Sequence, residues 1–149
     1  MWRPEPRIRV KALGLVWRDG SLLAAEVLDD RGQVTGVRPL GGSVEFGETA
    51  EAAVIREFHE ELGLRVGVEG PPVFLENLYV HEGEPGHELI ALFRICLPEG
   101  ALDGRQRIAF AEDDGAEAHA DWYALDQLDL PGGPALYPGG LKALLQGRT

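Results

Sequence analysis

One segment constrains this chain more than any other. Residues 49 to 62, TAEAAVIREFHEEL, carry helix-forming composition through about four turns. Thr49 stands at the start, and Gly63 follows as a C-terminal stop. The glycine-rich loop LGGSVEFGE leads into this helix, and most of the remaining chain reads as strands and turns. Residues 7–17 pair with 21–28 through the hairpin signal Asp19-Gly20, and a short strand follows at 34–38. Apolar and β-branched runs at 64–69, 73–81 and 87–97 predict three more strands, separated by Gly70-Pro71-Pro72 and by a GEPG turn at 83–86. Past an acidic segment, Glu112 to Glu117, a strand at 119–124 contains Trp122, and the loop LPGGPALYPGG leads into a short final helix. No repeat and no long linker interrupts the chain, so a single domain over 1–149 is expected.

Charge and cysteine content exclude several classes. The 149 residues hold 14 Lys plus Arg against 25 Asp plus Glu, a net charge of −11 that argues against most nucleic-acid binders. With 44% hydrophobic residues the chain can bury a core. A lone cysteine, Cys96, precludes an internal disulfide and a thiolate zinc cluster. The first residues, MWRPEPRIRV, lack the apolar core of a signal peptide, and no apolar run reaches membrane length, so a soluble cytoplasmic protein is expected.

On the predicted helix, Glu57, Glu60 and Glu61 share one arc of about 100°, beside an apolar stripe of Val54, Ile55, Phe58 and Leu62 that faces the sheet. Ala50 and Ala53 fall inside the acidic arc, where small side chains leave room for a bound group. Glu57 and Glu61 form a like-charge i,i+4 pair, and Glu60 and Glu61 sit at the negative end of the helix dipole. Together these cost on the order of 1 kcal/mol. A divalent cation removes that cost, and clustered carboxylates suit hard Mg²⁺, which retains positions for water and phosphate. Arg56 is placed to pair with Glu60 or with the preceding loop, and so to orient carboxylates. Glutamate-rich helix faces are most often simply solvated. The glycine-rich loop in front of this one favours a site.

Gly42, five residues, Glu48, seven residues, then Arg56-Glu57-Phe58-His59-Glu60-Glu61-Leu62-Gly63-Leu64 resembles the signature of the Nudix hydrolase superfamily, the MutT-like enzymes, over residues 42–64. Seven fixed letters match, an agreement expected by chance on the order of 10⁻⁵ per chain. Phe58 departs from the pattern, which prefers an aliphatic residue there. The resemblance implies an α/β fold, α+β in strict terms, with a mixed β-sheet sandwiched between α-helices. It implies a metal-dependent hydrolase that cleaves a phosphoanhydride bond in a nucleoside diphosphate linked to another moiety, by water attack at phosphorus. Carried over by position, Glu57, Glu60 and Glu61 are ligands of Mg²⁺, with Mn²⁺ as a substitute, and the Gly41 carbonyl is a further ligand. Glu48 supports the site, and Glu60, Glu61 or a downstream acid accepts the proton. Glu88 at the head of a strand, or Glu112 or Glu117 in the acidic segment, are candidates to complete the ligand set. The implied partner is a small-molecule nucleoside diphosphate derivative, not polymeric nucleic acid or a membrane, and a homodimer is compatible with the chain.

A different class remains as the alternative: a Nudix-fold module that binds a nucleotide as a sensor or regulator without cleaving it. Such modules can lose ligand residues, whereas all four glutamates and Arg56 stand here. An acidic calcium-binding domain lacks EF-hand spacing. Leu78, Tyr79 and Val80 occupy the region where ADP-ribose-cleaving relatives often carry a proline, so no substrate subclass is supported. Cys96, in LFRICL, reads as a small buried thiol. His59 points away from the carboxylates, His81 and His87 read as exposed hairpin residues, and Trp17, Trp122 and Tyr123 as packing residues.

Overall fold

The chain runs β1 (Ile8–Leu15), β2 (Trp17–Arg18), β3 (Ser21–Leu28), β4 (Val34–Arg38), β5 (Leu40–Ser43), α1 (Ala50–Leu62), β6 (Gly67–His81), β7 (Glu84–Cys96), β8 (Ile108–Ala111), β9 (Glu117–Ala124), β10 (Ala135–Leu136) and α2 (Leu141–Gln146). This computed structural model describes residues 1–147. It is a mixed α+β fold with two compact units, Met1–Val16 with Leu40–Gly104, and Trp17–Pro39 with the chain from Arg105 onward. Among the described residues, no helix is long and apolar enough to cross a membrane.

In the first unit the strand order is β5-β1-β7-β6. The central pair β1 and β7 is parallel, and both flanking pairs are antiparallel. Helix α1 packs on this sheet through Ala53, Val54, Glu57 and Phe58. Val54 and Phe58 are fully buried, as the apolar stripe predicts, while Ile55 and Leu62 are half-buried. Ala53 is also fully buried, so the space beside it is filled by the protein's own core and is not open to a ligand. Phe58, the departure from the family pattern, is accommodated by Gly14: a Cβ there would lie 2.5 Å from the Phe58 ring and 2.6 Å from Ile95.

Several boundaries differ from the sequence expectation. Leu40–Ser43, expected within the glycine-rich loop, is strand β5, held by antiparallel pairing with Lys11–Gly14 of β1. The Gly70-Pro71-Pro72 segment does not split two strands. β6 runs through it with a shift of register between Glu69 and Val73. Being at the sheet edge, β6 tolerates the missing proline N–H groups, and an irregularity absorbs the misfit. The hairpin turn is Glu82-Gly83, both at positive φ, so Glu84, Pro85 and Gly86 belong to β7. β8 goes unread in the sequence because only four residues alternate, with Ile108 and Phe110 buried. Cys96 is exposed, contrary to expectation. As the last residue of β7, beyond the apolar run, it pairs with Gly67, and its thiol meets Glu69 Oε2 at 3.5 Å, which pushes its pKa up.

The second unit holds the strands β10-β4-β3-β9-β8, with β2 against β3 across the Asp19-Gly20 turn. Trp17, expected to pack, is exposed there, and Trp122 is half-buried. Its indole N–H donates to the Arg105 carbonyl, and the Arg18 guanidinium lies 4.0 Å from its ring centroid.

The Gly14 approach yields a test. Gly14→Ala must move Phe58 or Ile95 and should cost about 1–3 kcal/mol, read as a lower urea midpoint with an unchanged slope.

Candidate metal and hydrolytic site

The site grows from the way α1 is started and closed onto β5. Thr49 caps the helix, its hydroxyl accepting from the Ala52 N–H at 3.0 Å. Just before it, Glu48 folds back: its Oε1 accepts from the Glu45 N–H at 3.0 Å and from Arg56 Nη2 at 2.6 Å, and its Oε2 from Arg56 Nε at 3.0 Å. Arg56 Nη2 also donates to the Ser43 carbonyl at 3.1 Å, while Nη1 reaches Glu57 Oε1 at 3.0 Å and Glu60 Oε2 at 3.3 Å. A guanidinium has five N–H donors, and these five bonds match that number. Arg56 therefore joins both ends of the loop 43–48 to two carboxylates of the helix. The hydrogen bonds from Arg56, and after them the Glu45 N–H, hold the Glu48 carboxyl below its ordinary pKa. Reciprocally, Glu48 above all, with Glu57, keeps Arg56 charged despite partial burial.

Two glycines admit this arrangement. Gly41, at φ 147°, pairs with Leu13 of β1, and a Cβ there would run into the Ala12 carbonyl oxygen. At Gly42 a Cβ would lie 2.5 Å from the Glu57 carboxyl carbon. The Glu57 carboxylate thus lies directly against the backbone of β5, in space that only glycine leaves, and its residue is 3% exposed. Glu57 and Glu60 present carboxylate oxygens within 4.8 Å of each other. Glu61 is half-buried, with one carboxylate oxygen withdrawn from solvent. This donor set, all hard oxygen with one member held in a backbone cradle, fits a divalent cation such as Mg²⁺. The like-charge strain expected on the helix is already partly offset by Arg56, so a cation is not its sole remedy.

The remaining ligand candidates are Glu88, Glu112 and Glu117. Glu88 is 1% exposed and accepts from Arg9 Nη2 and Asn77 Nδ2, each at 3.3 Å. Its register opposite Arg9, against that of Gly42 opposite Ala12, puts it on the other face of the sheet from Glu57. Glu112 and Glu117 belong to the second unit. Glu112 closes the turn after β8, and Glu117 opens β9 with His119 Nε2 3.6 Å from its carboxylate. His59 is exposed. His87 hydrogen-bonds with Glu76 at 3.0 Å, and His81 is tilted against Trp2 with ring centroids 5.4 Å apart. Lys11 escaped notice in the sequence. It is buried on β1 and donates to Ser43 Oγ at 2.9 Å, beside the carbonyl that Arg56 holds. Its signal was a lysine, one of only two in the chain, inside an apolar strand.

With fold and site described, the comparisons with known proteins converge. The family model of the NUDIX domain matches residues 7–141. Nucleoside triphosphatase NudI of Enterobacter sp. (strain 638) is 30% identical over 127 residues, covering 83% of this chain and 89% of that protein. NAD-capped RNA hydrolase NudC of Photorhabdus laumondii is 31% identical over 131 residues, covering 86% of this chain but 44% of that protein. Among solved structures, the E. coli ORF135 protein superposes with a TM-score of 0.57 at 21% identity over 96% of this chain and 92% of its own. A UDP-X diphosphatase does so with 0.57 at 18% identity, over 100% of this chain and 67% of its own. The chain belongs to the NUDIX domain family.

Lysine cannot reproduce the fork of Arg56. Arg56→Lys keeps the charge but loses most of the five bonds, and should cost about 1–3 kcal/mol. Limited proteolysis should then cut within residues 43–48 faster than in the parent protein.

Proposed function

We propose that this chain is a metal-dependent pyrophosphohydrolase acting on small nucleoside diphosphate derivatives. The observation that carries this reading is the Glu57 carboxylate seated against Gly42, with Glu60 beside it and Arg56 bonded to both. Glu57, Glu60 and Glu61 hold Mg²⁺, or Mn²⁺ in its place, and the Gly41 carbonyl contributes a further oxygen. The cation, when bound, supplies positive charge against the diphosphate oxygens and acidifies water. Arg56 orients the carboxylates and does not touch substrate, because its donors are spent on the protein. Glu48 positions Arg56. Glu60, 47% exposed at its side chain, or Glu61 accepts the proton of the attacking water. Water attack at phosphorus needs neutralised oxygens and a proton acceptor more than a covalent intermediate. The names of the NudI relative, a nucleoside triphosphatase, and of the UDP-X diphosphatase neighbour support small nucleotides as the substrate class. So does charge: at −11 the chain repels long polyanions, whereas a cation at the glutamates acts locally on a compact diphosphate.

The test is a phosphate-release panel of nucleoside diphosphate sugars, other nucleoside diphosphate derivatives and nucleoside triphosphates, with single-stranded DNA and RNA alongside, under Mg²⁺ and under Mn²⁺. Small diphosphates should be cut and the polymers left intact. Glu61→Gln should lose at least about a hundredfold in kcat while folding stability is kept, since like-charge repulsion is relieved. Glu51→Gln, on an exposed position of the first turn, should stay active. Equal losses in both variants contradict the assignment. If nothing is cleaved while nucleotides bind, the chain is a binding module.

A further inference from the structure

The sheet of the first unit has one face that α1 covers only in part. On that face the register lines up Phe74 with Ala91 and Ala12, Glu76 with Leu89 and Val10, Leu78 with His87 and Ile8, and Val80 with Pro85. Ala12 and Ala91 are fully buried. Past them the face is open: Ile8, Val10, Phe74, Leu78, Val80 and Leu89 are between 37% and 72% exposed. From these exposures the six leave on the order of 600 Å² of apolar surface in water, interrupted by Glu76 and His87. That equals the largest patch of an ordinary monomer, and approaches the roughly 800 Å² that each partner contributes to a standard protein interface.

We propose that a second copy of this chain packs on this face, making a two-fold dimer. Three features select a copy over another occupant. The first is the area, which Glu76, Pro85 and His87 on the same face enlarge toward the size of a stable interface. The second is charge. Two chains of net charge −11 repel least where they meet through a patch of few charges, and the single acid among these residues is Glu76, hydrogen-bonded to His87 at 3.0 Å. A partner chosen by charge finds one carboxylate, Glu76, here to read. The third is geometry. The open side chains come from β1, β7 and β6, and so present a sheet face that packs on its own equivalent about 10 Å away. An isologous contact asks only that one patch complement itself. The proposal is independent of the catalytic reading, so a chain inactive on every nucleotide leaves it standing.

Sedimentation equilibrium on the full chain from micromolar to about 200 µM decides it. The expected mass is twice the 16.2 kDa of the chain. Leu78→Glu should raise the dimer dissociation constant at least about tenfold, with a melting temperature unchanged only at concentrations where both proteins are monomeric. Leu130→Glu, at an exposed apolar residue of the second unit, should leave the dimer intact. Should Leu78→Glu fail to fold, methyl NMR of the unsubstituted chain replaces it: paramagnetic solvent relaxation of the Ile8, Leu78 and Leu89 methyls must fall as concentration rises. A monomer throughout that range, a Leu78→Glu variant that dimerises like the parent, or methyls equally accessible at every concentration overturns the proposal.

Discussion

Arg56 is the group on which the site depends. Three glutamates near the negative end of one helix repel one another, and a six-residue loop whose middle, Glu45, Phe46 and Gly47, is exposed has little apolar contact to hold it. One guanidinium addresses both problems, because its planar fork meets Glu48 with two bonds while its remaining N–H groups reach Ser43, Glu57 and Glu60. Every donor is used, which is the condition under which a partly buried charge network favours one conformation instead of many. The orientation of the Glu57 and Glu60 carboxylates is therefore set by the protein itself. Such preorganisation is what a site for charge stabilisation requires.

Glycine sets how closely these groups approach. Gly42 lets the Glu57 carboxylate rest on β5, Gly41 lets β5 pair tightly with β1, and Gly14 makes room for the Phe58 ring that anchors the helix. Side chains at Gly14 and Gly42 would push α1 outward and lift Glu57 from its seat, and one at Gly41 would run into the backbone of β1. The same packing that stabilises the first unit thus fixes the height of the carboxylates above the sheet.

The helix was legible because two signals coincide there, the 3.6-residue spacing of Val54 and Phe58 and the terminal pair Thr49 and Gly63. The box residues were legible through their spacing, but the partner set of Arg56 was only half so: Glu60 and the loop were foreseen, while Glu57, its neighbour in sequence, was not. Periodicity reports which face a residue occupies and is silent on which side chains bend to meet. Ala53 shows the same limit, since a small residue on the acidic arc can mark space for a ligand or contact with the sheet, and here the sheet takes it. Proline and glycine at 70–72 predicted a break that an edge strand does not need. Cys96 followed its position at the strand end, not the apolar run before it. Glu88 lay in a strand as expected, yet strand parity turned it to the face opposite Glu57. That parity is fixed by pairing with β1, which one strand's sequence does not contain.

The most direct test of the account is where a metal binds. Crystals grown with Mn²⁺ and measured for anomalous scattering should show one or more strong peaks bonded to carboxylate oxygens of Glu57, Glu60 and Glu61, with Arg56 still joined to Glu48. Peaks bonded to none of these three glutamates, or no peak at saturating Mn²⁺ in crystals that bind nucleotide, would contradict it.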